Sequence, residues 1–297
     1  MQIEIAVAAG WFLLLVSIET LFCWAYKIRT YDLKDTVANI SLAVSDLVFA
    51  AALKGFFLWL FTLLHKLSLY DFGHSWYGWI LLIFVNDFGY YIFHRCAHRC
   101  RFMWAFHVTH HSSERYNFSV AIRLNLLIFP LHFIFMLPLA ILGFRPEAIL
   151  LINSLTTLYQ LWVHTELIGN LGIIDKIFNT PSNHRVHHGA NPQYIDKNYG
   201  ATFIFWDYIF NSFEPEVEKP NFGLTKNISS NNPFTLTFHE ALSMFRDVSK
   251  PGSFRNRFMY MFGPPGWKPS EVLEKDTVNV KEKKKALQKH SLGNATS

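Results

Sequence analysis

The chain has 297 residues, of which 51% are hydrophobic and only 16% are charged. Soluble proteins carry about 25% charged residues, so this composition argues for an integral membrane protein over a soluble domain of the same length. The net charge of +5 comes from short basic loops and the tail; no basic stripe is present, which argues against a nucleic-acid partner.

In chain order, residues 5–26 form an apolar run with one acidic residue, Glu19, followed by Lys27, Arg29 and Lys34. About 20 apolar residues span a bilayer. The acidic front and basic back read as a retained anchor and not as a cleaved signal peptide. Residues 40–64 are the second candidate span and contain Asp46 and Lys54. Ionisable groups in a membrane face the bundle interior and pair. Glu19, Asp46 and Lys54 are therefore expected to do so, unless Lys54 snorkels to the interface.

Residues 76–93 form the third span, which runs straight into His94. On a continuous helix Asp87, Tyr91, His94 and His98 share one stripe. Asp87 is thus a candidate either to orient a ligand imidazole or to make a structural contact inside the membrane. Two further apolar runs, 124–142 and 148–163, flank Phe144-Arg-Pro-Glu147 and predict a helical hairpin that spans or dips in and returns. Pro130 and Pro138 predict a kinked first arm. His132, alone on an apolar face, reads as a packed polar residue. Residues 179–215 read as loop with short helices. The lysine-rich stretch 275–289 reads as disordered or as a helix on the membrane surface.

The expected fold is an all-α integral membrane protein. It has about four transmembrane helices, or two helical hairpins, under a cytoplasmic histidine-rich cap. The expected units are an N-terminal membrane hairpin (1–75), a catalytic domain with spans and three histidine boxes (76–230), and a soluble extension with a basic tail (231–297).

The chemistry concentrates in two windows. His94-Arg-Cys-Ala-His98 and His107-Val-Thr-His110-His111 form the first, and His184-Arg-Val-His187-His188 forms the second. Eight of the fourteen histidines lie there. Residues four apart share a helix face, so His94 pairs with His98 and His107 with His111, with His110 beside them. His164 emerges where the hairpin ends and is a ninth candidate ligand. One tetrahedral zinc takes four ligands; this set suits two metal ions. A nitrogen-rich set without thiolate suits redox-active iron. Cys96 and Cys100 fall on the opposite helix face, and with Cys23 they make no disulfide framework.

The basic residues after the first and third spans, Arg95, Arg99 and Arg101 among them, put both histidine windows and His164 on the cytoplasmic face of a multi-pass protein. A metal site there meets cytosolic electron donors and the acyl region of the bilayer. Its natural use is oxygen activation for insertion into a lipid C–H bond. A catalytically dead lipid-binding scaffold would have lost ligands. A metal transporter would carry its histidines along the spans.

The order H-x3-H, H-x2-H-H, H-x2-H-H between hydrophobic hairpins resembles the fatty acid hydroxylase/sterol desaturase superfamily of membrane di-iron enzymes. Within it, several stretches resemble the alkylglycerol monooxygenase branch: residues 107–117, 162–166, Asn179-Thr-Pro-Ser-Asn-His-Arg-Val-His-His188, residues 194–199 and Trp206-Asp207 with Phe210 and Phe213. The resemblance covers residues 35–226. It implies a membrane lipid substrate, O2 and two iron ions, with His94, His98, His107, His110, His111, His164, His184, His187 and His188 as ligands and catalytic residues.

For that branch it implies hydroxylation of the carbon beside an ether oxygen. The hemiacetal then collapses to an aldehyde and a glycerol. Tetrahydrobiopterin supplies the electrons, or else a ferredoxin or b-type cytochrome. An acyl-chain hydroxylase or sterol desaturase is the alternative. Arg99 stands where the branch carries an acidic residue, and Gln160 stands where some hydroxylases carry another histidine. The expected location is a bacterial inner membrane, or the endoplasmic reticulum in a eukaryote.

Overall fold

The computed structural model of the chain describes residues 2–272; the tail at 275–289 lies outside the described residues. These residues form ten α-helices and two short 3-10 turns, with no strand among them. Four helices build the membrane-like bundle with an N-terminal fifth: α1 (Gln2–Ala25), α2 (Leu33–His65), α3 (Trp76–Arg99), α5 (Ile128–Ile141) and α6 (Pro146–Trp162). The others, α4 (Arg101–His111), α7 (Pro181–His187), α8 (Phe205–Ile209), α9 (Pro233–Val248) and α10 (Phe254–Phe262), gather at one end.

Local signals set the helix starts. The Asp32 side chain caps α2 by accepting from Asp35 N at 3.0 Å, Ser75 caps α3, and Asn232 caps α9. A side-chain oxygen there satisfies an N–H that the first turn leaves unpaired. Pro146, Pro181 and Pro233 sit in the first turns of α6, α7 and α9, where the missing N–H costs nothing.

α2 is the one helix among the described residues that is long and apolar enough to cross a membrane. α5, with 14 residues, is about 21 Å long at the helical rise, against about 30 Å for a hydrocarbon core. A core of Phe57, Phe61, Leu82, Phe133, Met136 and Ile149 joins α2, α3, α5 and α6. At the end remote from the histidines, the α5–α6 turn meets the α2–α3 loop. Phe72 N donates to Gly143 O at 3.0 Å, and Arg145 pairs with Asp71 at 3.0 Å. Gly143 has φ +103°, and a Cβ there would lie 2.1 Å from Tyr70 O, so only glycine fits.

Two buried acids of the bundle take uncharged partners. Glu19 is fully buried, but its partners are uncharged. It accepts from Tyr31 Oη, from Phe118 N at 2.8 Å and from Thr165 Oγ1 at 2.5 Å. It ties α1 to the residue after His164. Asp87 touches no imidazole. It accepts from Thr202 N at 2.8 Å, Phe203 N at 3.3 Å and Trp206 Nε1 at 2.9 Å. Three donors from one loop outcompete a distant ring, so Asp87 anchors that loop to the middle of α3. Arg101, counted above as a basic loop charge, is buried and paired with Glu240 at 2.8 Å and Asp247 at 2.7 Å. It locks α9 against the start of α4.

Arg123 is 1% exposed and joins α2 to the end of α4. It donates to Asp35 Oδ1 at 3.0 Å, Asn39 Oδ1 at 2.7 Å, Thr109 O at 3.0 Å and Ser112 Oγ at 3.0 Å. Replacing it by methionine keeps volume but leaves Asp35 without its cation and Thr109 O without that donor. Removing one partner of a buried pair costs about 3–5 kcal/mol. Arg123→Met should therefore lower the thermal midpoint in detergent sharply, and an unchanged melt would show that the network is dispensable.

Candidate metal centre

Three segments of helix and one loop bring the histidines together. α3 carries His94 and His98 four residues apart. α4 carries His107, His110 and His111. His164 follows α6, and α7 carries His184 and His187 with His188 at its C-terminal end. All nine are at most 8% exposed. They sort into two groups, His94, His98, His107, His111 and His187, and then His110, His164, His184 and His188. Within each group one nitrogen per ring lies within 4.8 Å of the others. His132 belongs to neither; it packs against Tyr90 and Phe93 at 5.5 and 5.0 Å.

Backbone carbonyls set the tautomers. A carbonyl only accepts, so the ring nitrogen facing it must carry the proton. His94 Nδ1 donates to Tyr199 O at 2.8 Å, His164 Nδ1 to Gln160 O at 2.8 Å and His187 Nδ1 to Lys197 O at 2.9 Å. In a neutral ring the other nitrogen then carries a lone pair. These Nε2 atoms point inward. His94 Nε2 and His111 Nε2 lie 3.0 and 3.1 Å from His107 Nε2. His110 Nε2 and His184 Nε2 lie 3.2 and 3.1 Å from His164 Nε2. The Nε2 atoms of His98, His187 and His188 are buried with no partner.

Burial lowers the pKa of every one of the nine, with His164 brought to about 4. Protonation therefore does not relieve the crowding. Converging neutral lone pairs are unfavourable alone and are what a divalent cation accepts. The residues thus fit a metal ion at each group.

The loop at residues 194–214 supplies much of the frame. Asp196 and Asn198 adopt φ of +63° and +55°, a region that Asp and Asn tolerate best among residues with a side chain. This aims the Lys197 and Tyr199 carbonyls at His187 and His94. Asp207 fixes the turn by accepting from Tyr199 N, Gly200 N and Ser212 Oγ at 2.7–2.8 Å. Burial pushes its carboxyl up to about 6. Asp196 Oδ1 lies 3.7 Å from His98 Nδ1, and its other oxygen lies 3.4 Å from Arg99. Arg99 is therefore the outer neighbour of an acid that faces a site histidine. Gln160 is not in either group; its amide oxygen accepts from Tyr90 at 2.7 Å.

Sequence reasoning missed these supports. Asp196, Asp207 and the carbonyls act across the fold, and the available signal was only the richness of 179–215 in Asn, Gly and Asp.

Residues 79–212 match the model of the family described as fatty acid hydroxylase. That match takes in a little under half of the chain. All nine clustered histidines lie within that match. The chain is 39% identical over 271 residues to the alkylglycerol monooxygenase of Homo sapiens, covering 89% of this chain and 60% of that protein. It is 35% identical over 268 residues to the alkylglycerol monooxygenase of Xenopus tropicalis, covering 89% and 59%. It is also 29% identical over 154 residues to the ornithine lipid hydroxylase OlsE of Rhizobium tropici, covering 50% of this chain and 46% of that protein. The chain thus spans about three fifths of the length of the alkylglycerol monooxygenases just named. No solved structure matches it.

Proposed function

We propose that this chain is a membrane-bound, O2-dependent monooxygenase that hydroxylates a lipid C–H bond at a non-haem di-iron site. His94, His98, His107, His111 and His187 hold one iron, and His110, His164, His184 and His188 hold the second. The observation that carries this reading is the inward convergence of unprotonated Nε2 atoms whose Nδ1 partners are backbone carbonyls. Bound iron, fed electrons by an external donor, would supply the activation of O2 needed for insertion into an unactivated C–H bond. The chain's own residues do the rest. Tyr199, Gln160 and Lys197 hold three rings in the ligating tautomer, and burial keeps bulk water from the centre.

His94 and His164 stand where α3 and α6 meet the histidine end, so the reacting carbon belongs to a lipid that stays in the bilayer. The relatives named alkylglycerol monooxygenase support an alkylglycerol-type lipid as substrate; in this reading the carbon beside the ether oxygen is attacked and a reduced pterin is the electron donor. The ornithine lipid hydroxylase supports a second reading, hydroxylation of an acyl lipid, for which the donor proposed is a ferredoxin or b-type cytochrome. α1, α2 and α3 cross the membrane in this reading, and the α5–α6 hairpin spans or dips in and returns. Support for the hairpin comes from its turn, which packs on the α2–α3 loop at the far end. The histidine end is cytoplasmic, following Lys27, Arg29, Lys34, Arg95 and Arg99.

Three outcomes are expected. Purified active protein carries about two iron ions per chain, one for each histidine group; His98→Ala and His187→Ala, in one group, and His110→Ala, in the other, each lower the metal content and abolish turnover. A full metal load in all three variants would remove the ligand assignment.

Membranes containing the protein, given an alkylglycerol, O2 and a reduced pterin, should release a fatty aldehyde. A hydroxylated acyl lipid formed with a ferredoxin or cytochrome donor, and no aldehyde, would select the second reading.

A reporter inserted after Ser68 should read on the external face; a cytoplasmic reading would show that α2 does not span.

A further inference from the structure

The C-terminal pair α9 and α10 presents an apolar face that nothing in the described residues covers. On α9, Leu236, Ala241 and Met244 are buried, turned in toward α4, where Thr109 Oγ1 donates to Leu236 O at 2.9 Å. The opposite side carries Phe234, Phe238, Leu242 and Phe245, spaced four, four and three residues apart on one stripe. Phe234, Leu242 and Phe245 are 68%, 51% and 53% exposed. On α10, Phe254, Phe258 and Phe262 form a second stripe, 84%, 51% and 45% exposed, while Tyr260 turns inward. A soluble surface does not spend so many phenylalanines on water.

The exposed charges along this face are cationic. Arg246 and Lys250 border the α9 stripe, and Arg255 and Arg257 flank the α10 stripe; all four are exposed. The acids nearest in sequence are already engaged in ion pairs: Glu240 and Asp247 hold the buried Arg101, and the second oxygen of Asp247 takes Lys250 at 2.6 Å, a surface pair that leaves the ammonium exposed. An open cleft of about 540 Å³ lies beside the α9 stripe, lined by Leu242, Phe245, Arg246, Ser249, Lys250 and Pro251. Its lining is apolar apart from cations and one hydroxyl.

Position adds a further argument. Gly263, directly after α10, accepts from Arg101 N at 2.9 Å, where α3 gives way to α4. The Phe262 ring lies 6.1 Å from Phe102, and Phe102 shares an apolar cluster with Ile128, Leu131 and Phe135 of α5. The exposed phenylalanine face is therefore continuous with the flank of the bundle at its histidine end.

We infer that α9 and α10 form an interfacial platform that beds in the leaflet at the histidine end and binds anionic lipid headgroups through Arg246, Lys250, Arg255 and Arg257. Apolar stripes edged by arginine and lysine are the composition of helices that lie in the headgroup boundary, and anionic lipid attracts each such cation. Through Arg101 the platform sets how deep α4, with His107, His110 and His111, sits relative to the lipid surface. This inference rests on the membrane reading proposed above, and the experiment separates the two.

The full chain is reconstituted in vesicles of phosphatidylcholine with or without phosphatidylglycerol. A diazirine reagent confined to the hydrocarbon phase is photolysed, and labelled residues are identified by mass spectrometry. α2 is the internal control, because Val44, Leu47 and Val48 are exposed on it. Labelling of α2, together with Phe245, Phe254 and Phe258 in phosphatidylglycerol vesicles, is the expected result. Labelling of the phenylalanines should be lost in a quadruple variant, Arg246→Gln, Lys250→Gln, Arg255→Gln and Arg257→Gln, while α2 stays labelled.

An unlabelled α2 would overturn the membrane reading itself. A labelled α2 with unlabelled phenylalanines would overturn the platform, and would assign the face to another part of the chain or to a second copy. Labelling that ignores both lipid charge and the quadruple variant would overturn the recognition of anionic headgroups.

Discussion

Nine neutral imidazoles buried within two small groups are the constraint on which the rest of this structure depends. Without a cation between them their inward lone pairs repel, and burial holds their pKa values down so that protons do not substitute. The fold must therefore supply the force that brings them together. It does so by pinning the outer nitrogen of at least three rings to backbone carbonyls, those of Tyr199 and Lys197 in the 194–214 loop and that of Gln160 one turn before His164. Each of those carbonyls is itself held in place, so the site is preorganised from the outside inward.

The holding is done largely by buried carboxylates that accept from backbone N–H groups. Asp207 grips residues 199 and 200, Asp87 grips residues 202 and 203, and Glu19 grips residue 118. A carboxylate can accept several bonds at once, so one buried acid organises a whole turn. Arg123 and Arg101 play the corresponding part for cations: Arg123 satisfies partners on α2 and at the end of α4, and Arg101 takes two acids of α9. These groups consume polar capacity that a membrane-like interior would otherwise leave unpaired, at a cost of several kcal/mol each.

The same network blurs the boundary between the bundle and the cap. The loop that aims a carbonyl at His94 is fastened to Asp87, seven residues before His94 on α3, and its Phe203 stacks 5.2 Å from Phe84. The cap thus reaches down along α3 and does not simply sit above it. On the opposite flank, α9 and α10 lock onto α4 through Arg101. The residues that read as a C-terminal extension are packed directly against a histidine-bearing helix.

Much of this was determined by the sequence alone. Local spacing places His94 with His98 and His107 with His111, because helical periodicity acts over single turns. The apolar runs foretell α1, α2, α3 and the α5–α6 hairpin, because burial and lipid exposure leave the same hydrophobic signature. Low charge and the histidine boxes point to the fatty acid hydroxylase family. What only the tertiary structure decided is which ring joins which group. His187 leaves its neighbours His184 and His188 to join α3 and α4, and His110 leaves His107 and His111 to join His164. Adjacent residues on a helix point about 100° apart, so a compact motif splits between two centres once other helices close around it. The roles of Asp87, Asp196 and Asp207 were equally hidden. A carboxylate reads the same in a sequence whether it faces an imidazole, an arginine or a row of backbone N–H groups, and only the fold supplies the partner.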